Sequence, residues 1–230
     1  MCRTTSVFVV VALGAIAGAA YANGGGSMGG SSSLSLDLPR EQQSPADVAR
    51  DAYNSGVREI GYADKLDVEA AQATDPKKQT KTLDKSRTSY QKALKQFENA
   101  VAAQNDMYQA WNYIGYAKRK LGDHAAALEA YDRALSINPQ YPAAIEYRGV
   151  ALLGLNRVSD AKDAYLALFA SDRKLAEQLM GEIRTWIAAR RAAPNGVDSA
   201  VLDELAKWVD ERGRIASQTA GLSPEGASWR

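Results

Sequence analysis

One cysteine and one histidine are all that the 230-residue chain offers of the two residue types that most often hold metals or attack carbonyls. Together they cannot build a tetrahedral zinc site. Charge of one sign is also missing: 28 Lys and Arg stand against 27 Asp and Glu, which argues against a dedicated nucleic-acid binder, whose domain is normally strongly basic. No apolar run is long enough to make a convincing membrane span. The longest, Val7 to Ala20, is broken by Gly14 and Gly18, and a span needs about 20 apolar residues. A phosphate-cradling glycine loop is absent too, because the glycines from Gly24 to Gly30 follow no strand and open no helix. What remains is 46% hydrophobic and 24% charged residues, the composition of a globular protein with enough apolar mass for a real core.

The N-terminus reads as a targeting segment. Arg3 precedes the apolar run, and Ala20-Tyr21-Ala22 offers small residues at a cleavage site, the pattern of a secretory signal peptide over residues 1–22. Cys2 lies before the apolar run, whereas the modified cysteine of a bacterial lipoprotein follows it. The expected mature protein is therefore exported, periplasmic or secreted, and carries no stable membrane anchor. Cleavage removes Arg3, no acidic residue and the sole cysteine, leaving a charge-balanced chain without disulfides that must be held by packing alone. Residues 23–43 are rich in glycine and serine and read as a flexible linker. The folded part is expected over 44–215, opened by Ser44 as N-cap with Pro45 at the first helical position, and residues 216–230 read as a polar tail.

Within that part several residue types recur at an interval of 34. Ala93, Ala127 and Ala161 keep it, as do Phe97, Tyr131 and Tyr165, Gly115 with Gly149, and Leu121 with Leu155. The interval predicts stacked helix pairs, each one hiding a face its neighbour leaves open. Residues 108–141 form the clearest unit: Gly115 and Ala127 allow two helices to approach, Trp111, Ile114, Tyr131 and Ala134 fill the space between them, and Pro139 ends the second helix. A second unit at 142–175 keeps Gly149, Ala161 and Tyr165 but places Arg148 at an apolar position. Upstream, 44–107 reads as an irregular first unit with two long helices, about 46–73 and 78–103. Downstream, 176–215 reads as a closing helix pair around the Pro194-Asn195-Gly196 turn.

The interval of 34 and the residues Trp111, Ile114, Gly115, Ala127, Tyr131, Ala134 and Pro139 resemble the tetratricopeptide repeat family. That resemblance implies an all-α, right-handed superhelical solenoid of antiparallel helix pairs, with about three repeats plus a C-terminal closing pair. It also implies a concave groove along the first helix of each repeat that takes an extended peptide or a partner helix. The matching positions are Gln109, Asn112, Tyr116, Arg119 and Lys120 in one unit and Glu146, Val150 and Leu153 in the next. Such a groove is expected to be polar and basic at one end and apolar at the other. The family's carboxylate clamp needs Lys, Asn and Arg across three regular repeats, a layout that Asn112 and Arg119 do not reproduce.

No constellation reads as catalytic, and neither a cofactor nor a bound metal is expected. His124 has no second histidine or cysteine to work with, and Asp203, Glu204, Asp210 and Glu211 fall on the polar side of an amphipathic stripe. The lysines from Lys77 to Lys85 read as a solvated helix face. The sequence thus predicts an exported, non-catalytic scaffold with a protein or peptide partner and no nucleic acid. The competing readings are self-association through an end helix, anchored by Trp208 or Trp229, and an accessory subunit of an envelope complex whose activity lies in a partner.

Overall fold

The computed structural model describes residues 43–219; the expected signal peptide, most of the linker, most of the tail and Trp229 lie outside them. Eight helices follow in order: α1 (Pro45–Gln72), α2 (Pro76–Ala103), α3 (Tyr108–Lys120), α4 (His124–Ile137), α5 (Pro142–Gly154), α6 (Val158–Ser171), α7 (Arg173–Ala192) and α8 (Ser199–Thr219). There is no strand among the described residues. Consecutive helices pack as antiparallel pairs, and α3 also meets α1 and α5 while α5 meets α7. The odd-numbered helices therefore form one layer and the even-numbered helices a second, which makes an all-α helical-repeat solenoid.

Helix starts are written in side chains. Ser44 accepts from the Asp47 amide at 3.1 Å, Asp75 from Lys77 at 3.0 Å, Asp123 from Ala126 at 3.0 Å and Asp172 from Leu175 at 3.0 Å. Each satisfies one donor that the first helical turn leaves unpaired. The stops repeat at the interval of 34. After α3 the Asp123 amide donates to the Lys118 carbonyl, and after α5 the Arg157 amide donates to Leu152. Gly122 and Asn156 sit at the corresponding left-handed position, with φ of 91° and 59°, the geometry that closes a helix with a returning bond. Asn is the residue that best substitutes for Gly there.

Glycines set the spacing within pairs. A Cβ on Gly115 would lie 2.5 Å from the Tyr131 ring, and one on Gly56 would lie 2.7 Å from the Phe97 ring. The first pair thus repeats the contact of the second despite its longer helices. A Cβ on Gly149 would instead lie 2.8 Å from the Leu179 side chain of α7. The core is divided along the stack: Ile60, Tyr90, Ala93, Phe97 and Ile114 at one end, Leu152, Leu168, Leu179, Ile183 and Leu205 at the other, with Ala127, Tyr131 and Ala151 between them.

Two boundaries differ from the sequence reading. Asp172 caps α7, so the closing pair begins at Arg173 and not at 176, because the carboxylate that ends one helix starts the next. Helix α8 continues to Thr219, where Thr219 Oγ1 donates to the Ile215 carbonyl and Arg173 donates to Thr219 Oγ1 at 3.2 Å, so the first residues assigned to the tail are helical. Trp111 is half-buried at the edge of its pair, and its indole N–H donates to the Asn105 carbonyl at 2.8 Å.

Candidate functional site

Of the side chains singled out on α3 and α5, Tyr116, Lys120, Arg119 and Glu146 fall into two polar clusters along the odd-helix layer. The first joins three helices. Tyr90 Oη donates to Asp64 Oδ1 at 2.5 Å and approaches Asp67 Oδ2 at 2.8 Å, and Tyr116 Oη donates to Asp64 Oδ1 at 2.8 Å. Ser86 Oγ donates to Asp67. Lys120 Nζ sits 2.5 Å from Asp67 Oδ2 and 5.2 Å from the centre of the Tyr90 ring. Both partners of this ion pair are shielded from water, where charge-assisted bonds are strongest. Burial, joined by the Asp64 carboxylate, drives the Tyr90 and Tyr116 hydroxyls far above the ordinary phenol range. They remain donors at every working pH.

The second cluster is built around Arg119. Its guanidinium lies 5.1 Å from the Tyr116 ring centre and 5.7 Å from that of Tyr147, and these two rings are 5.3 Å apart. Tyr147 in turn lies 6.2 Å from Tyr131. Burial pushes the Glu146 carboxyl up to about 7, with Arg119 pulling it down and Glu182 of α7 pushing it further up. Burial likewise raises Glu182, against the pull of Arg119 and Lys120. Arg119 Nε, Asn112 Oδ1, Tyr131 Oη and His124 Nδ1 are buried without a hydrogen-bond partner among the described residues, so several strong polar groups on α3 and α4 have bonding capacity to spare.

The sequence-derived groove residues separate by depth. Gln109, Tyr116, Arg119, Lys120 and Val150 are half-buried on the layer's surface, whereas Asn112 and Leu153 are each 2% exposed and Glu146 6%. Leu153 belongs to the apolar core. The charge pattern also departs from a basic-to-apolar gradient: Lys120 is already matched by Asp67, and Glu146 with Glu182 puts acid where apolar surface was expected. Asp64, Tyr147 and Glu182 were not singled out from sequence. Asp64 and Asp67 do stand three residues apart, which places them on one helix face, but only the tertiary fold shows what that face meets. His124 is a packing residue, its ring set against Gly154, where a Cβ would lie 2.4 Å from Nδ1. Burial, then the nearby Arg119 charge, lowers its basicity.

A layered stack of helix pairs carrying a band of aromatic and charged side chains along one layer defines a helical-repeat protein. The tetratricopeptide repeat family model matches residues 86–142, from the middle of α2 through α4 to the first residue of α5. The match supports a tetratricopeptide-repeat protein, a class that generally mediates protein–protein interaction and is generally non-catalytic.

Proposed function

We propose that the chain is an exported, non-catalytic scaffold that holds a peptide segment or partner helix along its odd-helix layer. The observation that carries this reading is the Tyr116–Arg119–Tyr147 stack, which presents two aromatic faces and a cation on adjoining helices. Aromatic and arginine side chains in such partly desolvated settings are the usual anchors of protein interfaces. Because the rings and guanidinium already hold one another, binding orders little on the scaffold side. The competing self-association reading keeps Trp208, half-buried with its ring edge-on to Tyr165 at 5.2 Å and Lys162 over it, as its described anchor.

The test places a photo-crosslinker at Gln109 or Val150 on the odd-helix layer, or at the exposed Glu129 or Asp163 on even-numbered helices, in the protein at its native location. Crosslinks to another protein from the first two positions but not the last two are expected. Adducts formed only from Glu129 and Asp163 would move the contact surface to the opposite layer. Capture of the same chain alone would establish self-association.

A further inference from the structure

Helix α2 is charged out of proportion to the chain. Its 28 residues include seven basic and two acidic side chains, against three basic and six acidic in α1, although the whole chain carries a formal charge of +1. Six of the seven are lysines: 77, 78, 81, 85, 92 and 95. At 3.6 residues per turn these fall within an arc of roughly 100°, on the side away from the buried Ser86, Tyr90, Ala93 and Phe97. All six are exposed. Among the described residues only Lys78 has a carboxylate within 4.0 Å, Glu69 at 3.5 Å.

The position of this face matters as much as its charge. Helices α1 and α2 are twice as long as α3 and α4, and the contacts of Tyr116 and Lys120 with Asp64 and Asp67 mark where α3 ends against the hairpin. The segment of α2 before Ser86, which bears four of the lysines, therefore reaches past the second helix pair. From Lys77 to Lys95 the face is a straight ridge about 27 Å long.

We propose that this lysine ridge docks on an anionic lipid bilayer, holding the scaffold at a membrane surface while the odd-helix layer stays free for its partner. A straight ridge brings all six ammonium groups to a plane at once, and lysine stems let the charges reach headgroup depth. The same arc holds Thr88 and Asn99 but no aromatic ring to stack on a base, no arginine fork for a phosphate or base edge and no apolar anchor for an acidic peptide. The attachment is superficial, since no described helix is long and apolar enough to cross a membrane.

The experiment is flotation of the full chain with phosphatidylcholine vesicles, with and without phosphatidylglycerol, at low and raised salt. Any partitioning by the apolar run at residues 7–20 and Arg3 beside it is common to the unaltered chain and both variants and cancels in their comparison. Near the surface each lysine contributes roughly a fivefold gain. Replacing Lys77, Lys81, Lys85 and Lys92 together by Gln should therefore cut the preference for anionic vesicles by about several hundredfold, with helicity and melting unchanged. A second variant neutralises the exposed Lys174, Arg184, Arg191 and Arg214 by Gln, matching the change in net charge, and should keep most of the preference. The proposal is overturned if the unaltered chain shows no anionic preference, if both variants lose it equally, or if duplex DNA or an acidic peptide is retained at salt where vesicles are not.

Discussion

At the scale of single residues, two glycines in helix interiors predict opposite outcomes of one substitution. In an exposed helix Gly→Ala stabilises by roughly 0.5–1 kcal/mol, because alanine loses less backbone entropy on folding. Gly61 in α1 is exposed and a Cβ there meets nothing within 4 Å, so Gly61→Ala should raise the melting temperature. Gly115 faces the buried Tyr131 ring, at 2.5 Å from the Cβ position. The ring cannot retreat, since Tyr131 is fully buried and packs toward Tyr147. Gly115→Ala should destabilise by about 1–3 kcal/mol, and Gly115→Leu by more. Thermal denaturation of the two alanine variants side by side checks both signs, and a stabilised Gly115→Ala would show that the pair contact is looser than this geometry. Trp111→Ala should cost less than removing a fully buried ring, because its indole is half-buried and held by one bond to the Asn105 carbonyl.

Between helices, the polar clusters do work that apolar packing does elsewhere. Asp64 receives the hydroxyls of Tyr90 and Tyr116 and so ties α1 to α2 and α3. Asp64→Ala leaves the Tyr116 hydroxyl without its partner in a shielded place, while Tyr90 keeps Asp67, and should cost about 1–3 kcal/mol. Hydrogen exchange should reveal that loss chiefly in α1 and the first half of α2. Glu146 gives a pH dependence of definite sign. Its folded value near 7 lies above the ordinary 4.5, so the folded state binds the extra proton. Its contribution is fully present below pH 4.5 and is lost as pH rises through about 7, by at most roughly 3 kcal/mol. Glu182, raised by the same burial, adds a decline of the same sign and His124, lowered by burial, one of the opposite sign, so the check is the difference between wild type and Glu146→Gln: the wild type should lose more stability from pH 4.5 to above 7, and equal profiles would contradict the burial argument. These clusters are also what the sequence hid. Helix caps, the interval of 34 and the glycine–aromatic contacts depend on local spacing, so the helix pairs were legible from residues alone. Which face Asn112 presents depends on how α3 is rotated against α2 and α4, and which face Glu146 and Leu153 present on how α5 is rotated against α4, α6 and α7, a long-range matter that spacing within one helix cannot reveal. Tyr147 and Glu182 were missed for the same reason: each gains its role from a neighbouring helix.

For the molecule as a whole, a stack of pairs has two ends, and stability is distributed along it instead of residing in one core. The apolar clusters show this division, with Phe97 and Tyr90 at the α1–α3 end, Leu179 and Ile183 at the α5–α8 end, and only Ala127, Tyr131 and Ala151 joining them. Helix α8 closes the second end by burying Leu202, Leu205 and Val209. Burial of three such side chains contributes about 5–8 kcal/mol, comparable with the entire stability of many domains. A chain stopped before Ser199 should therefore lose α7 as well as α8. It should melt in two steps, with the α1–α4 half retaining its transition because its core residues, Tyr90, Ala93, Phe97 and Ile114, make no use of α8. Circular dichroism of the truncated chain should then show a helix deficit larger than the 21 residues of α8, together with a new tendency to associate through the uncovered Ile183 and Trp186 face. A deficit of α8 alone, with one unchanged transition, would mean that α7 is held by its contacts with α5 and α6, such as Leu179 against Gly149, and that coupling to the preceding pair outweighs coupling to α8.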